Sequence, residues 1–252
     1  MGISIKSKKD IDALAIPNRI VAQSLELLAS HAKEGVSLLE LDSMAKDFIR
    51  SQGGRPSFYK LYGFPQSICT SVNEVVIHGI PSEYRLKNGD VLGIDIGVEY
   101  GGWYGDAAIT MGIGSVSKED QNLIDCSRDT LYEAIDSIRV GMRFKELCGI
   151  LEQSIRKRGF VPLLGFCGHG IGRQPHEEPE IPNYLESSNT KQGPKIKEGM
   201  VFCLEPMVCQ KDGEPVILDD KWSVVPKDGL RSSHYEHTIA VVNGRAKILT
   251  EV

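Results

Sequence analysis

The stretch GDVLGIDIGVEYGGWYGDAA, residues 89–108, places two aspartates inside apolar sequence. Asp95 interrupts a run of aliphatic residues and glycines typical of a buried strand, and Asp106 follows a turn signal and precedes a second apolar run. A two-residue turn at Tyr100-Gly101 predicts a hairpin in which Asp95 lies directly opposite Asp106, with Cβ atoms about 4.5–5.5 Å apart. The alternation of side chains along each strand then gives both carboxylates the same face.

Two carboxylates this close are costly. They repel each other by roughly 4 kcal/mol at an effective dielectric near 20, and burial adds a desolvation cost for each ion. Three arrangements avoid the cost: a surface hairpin that exposes both side chains, a pair that shares a proton, and a pair bridged by a cation. The hairpin alone does not decide between them.

The composition of the chain excludes some classes of function. The chain has 252 residues, 41% hydrophobic and 25% charged, which is ordinary for a globular protein. A net charge of −5 gives no electrostatic reason to expect nucleic acid or an anionic membrane as a partner. No apolar run is long enough for a membrane span, and the first residues lack the apolar core of a signal peptide. The six cysteines form no CxxC pair and are expected to be reduced core thiols of a cytoplasmic protein.

The sequence predicts several helices and contains an internal repeat. Capping signals predict helices that begin after Ser37 and Ser117, and Pro17 is expected to break or kink an otherwise helical stretch. Residues 35–53 align with residues 141–159, although chance similarity between amphipathic helices would also produce such a match. The repeat predicts two pseudo-symmetric α/β halves that face one site.

The second copy of the repeat leads to another acid. Glu205 stands four residues after Val201 in an apolar strand, as Asp95 stands four residues after Val91. Glu236, ahead of the strand that begins near Ile239, is its candidate partner. Four carboxylates on facing hairpins cannot be held by proton sharing alone, so the pattern favours a binuclear metal site.

Histidines supply the remaining candidate ligands. His169 lies among glycines, where the backbone and a metal can approach closely, and His176 follows seven residues on. His78 ends an aliphatic run before Gly79. Each of them alone is more often a structural or surface histidine, but together with the acids they favour one metal site.

These residues lie in motifs that resemble those of type I methionine aminopeptidases, over nearly the whole chain from Ile11 to Thr250. The motifs are SVNEVVIHGIP (71–81), DIGVEYGGWYGD (95–106), CGHGIGRQPHEEP (167–179), FCLEPM (202–207) and YEHT (235–238). The resemblance implies an α/β (α+β) pita-bread fold, with two pseudo-symmetric halves and a central, curved antiparallel sheet flanked by helices. It also implies a single catalytic metallopeptidase domain over residues 1–252, with a short N-terminal segment (1–10) and no added N-terminal domain.

The resemblance further implies two divalent metal ions, with cobalt, manganese or iron(II) favoured and zinc possible. The implied metal ligands are Asp95, Asp106, His169, Glu205 and Glu236. In the family pattern Asp106 and Glu236 bridge the two ions, Asp95 completes one, and His169 with Glu205 completes the other.

The implied reaction removes the initiator methionine from nascent polypeptides when the second residue is small. A metal-bridging hydroxide attacks the first peptide bond, and Glu205 carries the proton. His176 is expected to donate to the developing oxyanion, and His78 to the scissile amide nitrogen. The second ion can hold the free α-amine.

The substrate pocket is the least specific part of the resemblance. Phe64, Cys69, His78 and Trp222 match positions that line the family's methionine pocket, although the aromatic residues could equally be core. This chain has Leu61-Tyr62 where Tyr-His is frequent in the family, and Pro175 where an aromatic residue is frequent. His234, two residues before Glu236, is expected to support the ligands rather than bind metal.

The expected partners are N-termini of nascent polypeptides near the ribosome. The protein is expected to be a cytoplasmic monomer with no direct nucleic-acid binding and no membrane contact. Two alternatives stay open. An X-Pro-cleaving peptidase of the prolidase type shares the fold but usually carries an additional N-terminal domain. A non-catalytic binding module of this fold would be expected to have lost some of the ligands.

Overall fold

The computed structural model describes residues 2–185, 190 and 192–251. Four helices are present in the described part of the chain: α1 (Lys8–His31), α2 (Leu38–Ser51), α3 (Lys118–Ser137) and α4 (Phe144–Lys157). Helix α1 begins directly after Ser7, whose side chain caps it.

The strands run in chain order as β1 (Arg55–Pro56), β2 (Cys69–Val72), β3 (Val91–Tyr100), β4 (Trp103–Gly112), β5 (Val161–Pro162), β6 (Cys167–Gly170), β7 (Glu177–Pro182), β8 (Val201–Leu204), β9 (Met207–Cys209), β10 (Pro215–Ile217), β11 (Val224–Pro226), β12 (Ser232–His234), β13 (Glu236–Val242) and β14 (Arg245–Ile248). A single 3₁₀ turn spans Leu61–Gly63.

A nine-stranded antiparallel sheet organises the molecule, in the order β1-β3-β4-β13-β8-β6-β7, with β2 also paired to β3 and β14 to β13. Smaller sheets, β12-β9-β5 and β10-β11, lie beside it. The helices pack against one face of the large sheet. Ile94, Ile96, Phe202, Leu204 and Ile239 all belong to the buried clusters formed with helical side chains. The alternate residues of the same strands point to the opposite face, which carries the candidate site.

The β3–β4 hairpin confirms that Asp95 and Asp106 share a face, but the predicted register is wrong. Asp95 pairs with Ala108 and Asp106 with Gly97, so the two aspartates are diagonal neighbours. The turn consists of Gly101 and Gly102, with φ values of 61° and 76°. A two-residue hairpin turn of this kind needs positive φ at both central residues, which glycine adopts without strain, so Tyr100 remains in the strand.

Helix α1 runs without a break through Pro17, so the break allowed for at this position is absent. Proline removes one backbone donor, and packing offsets that loss. Leu14, Val21 and Leu28, spaced at intervals of two turns, are fully buried. The Asn18 side chain also donates to the carbonyl of Leu14 within the helix, at 2.8 Å.

The predicted repeat is visible in the helices. In α2 a buried stripe at four-residue spacing faces the core, and in α4 the same stripe recurs 106 positions later. All six side chains are fully buried: Leu41, Ala45 and Ile49 in α2, and Leu147, Leu151 and Ile155 in α4. A stripe at this spacing is the face that a helix buries against a sheet.

The turns that precede α2 and α4 also make equivalent backbone bonds. Gly35 donates to the carbonyl of Leu86 at 2.8 Å in the first half, and Gly141 donates to the carbonyl of Ile196 at 2.9 Å in the second. Both glycines adopt positive φ, 89° and 92°. The two halves therefore use the same turn chemistry, and the expectation of pseudo-symmetric halves is confirmed.

A short seam joins the halves. β13 pairs with β4 through Glu236↔Ala108 and His237↔Ala107. The Thr238 hydroxyl strengthens this seam, because it donates to the carbonyl of Asp106 at 2.7 Å and accepts from its amide at 3.2 Å. Acids from both halves consequently meet at one point of the sheet.

Four cysteines are buried free thiols, as expected: Cys69, Cys126, Cys203 and Cys209. Within the described residues, no helix combines the length and the apolar character needed to cross a membrane.

The hairpin turn gives a direct test of the observed register. We expect Gly101→Val to destabilise the fold by about 1–2 kcal/mol, because a branched side chain is strained at positive φ. Gly101→Asn is the matched control, since asparagine tolerates this conformation and a Cβ at Gly101 would meet nothing within 4 Å. Urea unfolding measures both variants. Equal stability of the valine variant and the wild type would contradict the turn assignment.

Candidate active site

A cluster of carboxylates lies where the two halves meet. Asp95 on β3, Asp106 on β4 and Glu236 on β13 each present an oxygen atom, and these atoms lie within 4.8 Å of one another. Asp106 and Glu236 are almost fully buried, at 4% and 3% exposure. Two charges at that separation repel by about 3–4 kcal/mol at an effective dielectric near 20. The surface-hairpin interpretation is therefore wrong.

The cluster is short of hydrogen-bond donors. Among the described residues, Asp95 Oδ1, Asp106 Oδ1 and Glu236 Oε1 are buried without a hydrogen-bond partner. Buried polar atoms normally have a partner, and a carboxylate left without one is unfavourable. A cation at this point would satisfy all three oxygen atoms.

A second group of possible ligands shares Glu236. It consists of His169 on β6, Cys203 on β8 and Glu236, again with ligand atoms within 4.8 Å of one another. Glu205 follows β8 directly, and its Oε1 lies 3.6 Å from His169 Nε2. Because Glu236 belongs to both groups, the two candidate positions for a cation are adjacent.

Burial and mutual repulsion raise the pKa values of these acids. Burial raises the pKa of Asp95 to about 7. The pKa values of Asp106, Glu205 and Glu236 lie well above their usual range, first because of burial and then because of the neighbouring carboxylates. Without a cation, at least one of these groups therefore carries a proton near neutral pH.

Burial has the opposite effect on the histidines. It lowers the pKa of His169 to about 3 and that of His78 to about 4, with a further contribution from His176 in each case. The pKa of His176 is also lowered by burial. The imidazoles are consequently neutral at physiological pH, and the neutral form is the one that binds metals.

The histidines near the acids also contact one another and their neighbours. The rings of His169 and His176 meet edge to face, with centroids 4.5 Å apart. His78 adopts a positive φ of 60° and packs edge to face on Phe166 at 5.9 Å. His234 Nε2 is buried, has no hydrogen-bond partner in the described part of the chain, and lies 3.7 Å from Glu205 Oε2.

A cavity of about 930 Å³ opens above the cluster. All ten predicted site residues line it: Phe64, Cys69, His78, Asp95, Asp106, His169, His176, Glu205, Trp222 and Glu236. Its apolar wall is built by Phe64 and Trp222, whose rings meet edge to face at 5.1 Å, together with Phe58 and Cys69. Such a volume falls in the range of about 300–1,000 Å³ that ligand pockets occupy.

The departures from the family pattern lie at one side of this cavity. The Tyr62 ring stacks on His176 with centroids 6.2 Å apart, and the tyrosine is 77% exposed. Pro175 is buried directly before His176. Tyr62 therefore covers a flank of His176 in this chain.

The arrangement as a whole fits divalent cations. Oxygen donors from four carboxylates and a nitrogen donor from one imidazole suit manganese, iron(II) or cobalt better than a structural zinc ion, which prefers Cys and His ligands. Clustered acids, neutral imidazoles and a cavity define a metal-dependent hydrolase.

Comparisons with known proteins identify the family. The profile of Metallopeptidase family M24 matches residues 13–243. The methionine aminopeptidase of Helicobacter pylori is 64% identical over 252 residues, which cover 100% of both chains. The crystal structure of methionine aminopeptidase from Thermotoga maritima matches with a TM-score of 0.96 at 32% identity, again over 100% of both chains. The chain belongs to metallopeptidase family M24 and, within it, to the methionine aminopeptidases.

The expected pita-bread fold is thereby confirmed. A more distant match is prolidase from Pyrococcus furiosus, with a TM-score of 0.78 at 22% identity over 98% of this chain and 65% of that one. At that identity the likeness extends to the fold alone.

Some residues near the site escaped the sequence analysis. Cys203 could have been found, because it lies two positions before Glu205 and so shares its face of β8. Phe58, Phe166 and the N-terminal Ser4 also line the cavity. They lie in segments without a periodic pattern, and only the tertiary fold brings them together.

The acid cluster makes the metal-free fold sensitive to pH. Because the folded-state pKa values are raised, the metal-free fold gains relative stability at low pH and loses it as the pH rises through about 7, the pKa of Asp95. We expect saturating Mn²⁺ to raise the melting temperature more at about pH 8 than at about pH 5. A hundredfold excess over the dissociation constant adds about 2.7 kcal/mol.

Asp95→Asn should reduce this metal-dependent shift and leave the metal-free protein at least as stable as wild type, while the exposed Asp12→Asn serves as the control. Calorimetry with and without Mn²⁺ decides. If the EDTA-treated protein melts at the same temperature with and without Mn²⁺, something other than a cation compensates the repulsion between the acids.

Proposed function

We propose that the protein removes the N-terminal methionine from nascent polypeptides whose second residue is small. The observation that carries this proposal is the shared acid and imidazole cluster at the floor of a cavity with an apolar wall. The relatives that span the whole chain at up to 64% identity are methionine aminopeptidases, which supports the same conclusion.

The proposed ligands of two divalent cations are Asp95, Asp106, His169, Glu205 and Glu236. Glu236 belongs to both groups of adjacent donors, which supports its role between two cations. The corresponding role of Asp106, and the positions of Asp95 at one cation and of His169 with Glu205 at the other, follow from the family pattern.

Divalent cations at such a site lower the pKa of water and polarise a peptide carbonyl. Glu205 is the group that would take a proton from the attacking water and pass it to the leaving amine. Its raised pKa, caused by burial and the neighbouring acids, suits a residue that must hold a proton between the two steps.

The histidines at the cavity act on the substrate in this proposal. His176 donates a hydrogen bond to the carbonyl oxygen as negative charge develops there. His78 holds the nitrogen of the scissile amide. Both imidazoles have lowered pKa values, so each carries one N–H at neutral pH and can donate without being charged.

The apolar wall supports a methionine side chain as the group bound. Phe64 and Trp222 offer aromatic faces, and the thiol of Cys69 is a polarizable neighbour for a thioether. Tyr62 and Pro175 shape the side of the cavity next to His176, where this chain departs from the common family pattern.

Cobalt, manganese and iron(II) are the proposed metals, with zinc as a further possibility, because the donors are mainly carboxylate oxygens. We also infer a single catalytic domain that acts as a cytoplasmic monomer on N-termini near the ribosome. The buried free thiols of Cys69, Cys126 and Cys209 support a reducing compartment.

Neither alternative has comparable support. The prolidase matches extend to the fold alone. A non-catalytic binding module would not need every acid and imidazole of the cluster, and all of them line the cavity.

Substrate preference tests the proposal. The metal-reconstituted protein should cleave Met-Gly-X and Met-Ala-X peptides and leave Met-Leu-X and Gly-Pro-X nearly untouched, because the apolar wall suits a methionine side chain and the resemblance implies a small second residue. Peptidase assays on the four peptides measure this. Faster turnover of Gly-Pro-X would replace the proposal with the prolidase alternative.

The division between ligands and catalytic groups is tested by two variants. Asp106→Asn should lose both metal and activity, because it removes a charge from the centre of the cluster. His176→Ala should retain its metal and lose about 10²–10³-fold in kcat, as when a donor to a developing oxyanion is removed. Elemental analysis together with kinetics measures both, and a metal-free His176→Ala protein would show that this histidine has been misassigned.

A further inference from the structure

The loop that carries His176 is anchored at several points. It runs from Gly172 to Glu177, and its first carbonyl, that of Gly172, accepts from the Tyr104 amide at 3.0 Å. The Arg173 guanidinium stacks over the Trp103 ring, 3.7 Å from its centroid. These contacts fix the start of the loop against the β3–β4 hairpin, but His176 lies near its other end.

Glu177 closes that other end. Its Oε1 accepts from the backbone amides of Arg173 at 2.7 Å and Gln174 at 3.2 Å, which folds the loop back on itself. Its Oε2 accepts from the Lys6 ammonium at 2.5 Å. The side chains of Lys6 and Glu177 are 4% and 16% exposed, so the ion pair is largely shielded from water.

Lys6 is itself fixed by the second half of the molecule. Its backbone amide donates to the carbonyl of Gly199 at 2.7 Å. The lysine side chain crosses directly over Gly172, where an added Cβ would come within 2.6 Å of Lys6 Cε and 2.7 Å of Glu177 Oε1. The absence of a side chain at Gly172 is what lets the ammonium reach the carboxylate.

A lysine is rarely buried unless it is paired, and removing one member of a buried ion pair leaves the other charge uncompensated. Without Lys6, Glu177 would retain its backbone donors but face a site already rich in carboxylates. The acid would gain by turning toward water, and the loop would open at the end that carries His176. Neither Lys6 nor Glu177 belongs to the proposed catalytic groups.

We propose that Lys6 is a positioning residue, whose ion pair with Glu177 closes the loop of residues 172–177 and sets His176 against the ligand cluster. This inference rests on the proposed catalytic role of His176. The residues that precede Lys6 contribute to the same region, because Gly2 and Ser4 line the cavity that His176 also lines.

The test replaces the charge and keeps the length of the side chain. In the metal-loaded full-length protein, Lys6→Met should lower kcat on Met-Gly-X by roughly 10- to 100-fold, as expected when a catalytic group is misplaced by about 1 Å. KM and metal content should stay unchanged, since neither the ligands nor the apolar wall is altered. Lys6→Arg should restore most of the activity.

Lys9→Met is the matched control. It removes the same charge from an exposed lysine in the first turn of α1 and should leave kcat unchanged. Glu177→Gln is the second variant, for use if Lys6→Met does not fold. It keeps an acceptor for the loop amides, removes the ion pair, and should show the same loss of kcat.

A double variant separates positioning from a general effect on stability. If Lys6 acts through His176, Lys6→Met should cost little further activity in a His176→Ala protein. An equal loss in both backgrounds, or a lower melting temperature with kcat unchanged, would overturn the inference. So would wild-type kcat in Glu177→Gln.

The positioning role of Lys6 can also be tested if the proposed function is wrong. If the wild-type protein does not cleave Met-Gly-X, the ¹⁵N chemical shifts of the His176 imidazole become the readout. They should differ from wild type in Lys6→Met and match it in Lys9→Met, and identical shifts in all three proteins would overturn the positioning role.

Discussion

Repulsion between buried carboxylates is the constraint on which the structure depends. Asp95 and Asp106 come from one hairpin and Glu236 from a strand far along the chain, yet an oxygen of each lies within 4.8 Å of the others. Among the described residues, one buried oxygen of each acid has no hydrogen-bond partner. The apolar packing of helices on the opposite face of the sheet holds them there, because each strand that carries an acid also carries fully buried aliphatic side chains. The stability of the hydrophobic core is thus what keeps like charges together until a cation can neutralise them.

The same burial that raises the pKa values of the acids lowers those of the histidines. The cluster therefore presents protonated or repelling carboxyls beside neutral imidazoles, and neither set compensates the other. Divalent cations lower the pKa values of the acids again, since they favour ionised carboxylates. They also bind the neutral imidazole nitrogens that burial favours. The site is matched to metal by its burial as much as by the identity of its ligands.

The sequence was informative wherever a signal is local or periodic. Acids inside apolar strands, serine capping signals and the repeat at 35–53 and 141–159 were sufficient to predict helices and the face that Asp95 and Asp106 share. The ligand set followed from the resemblance to a known family and stays a prediction. Local signals failed where contacts between residues distant in sequence determine the structure. The hairpin register depended on which glycines adopt positive φ, and Pro17 was tolerated because packing along α1 outweighs one missing hydrogen bond. The Lys6–Glu177 pair joins residues 171 positions apart, and no pattern in the chain connects them.

The seam between β4 and β13 also bears on how the molecule forms. Each half encloses its own cluster of buried side chains, and at the seam β4 and β13 pair at two positions, supported by the bonds of one threonine hydroxyl. Contacts within a half are comparatively close in sequence, while the seam joins residues 132 positions apart, as between Asp106 and Thr238. Closing so long a loop is entropically costly, so we expect the halves to gain structure before the seam does. The carboxylates would then converge in the last stage of folding, and amide hydrogen exchange along β13 would report that stage.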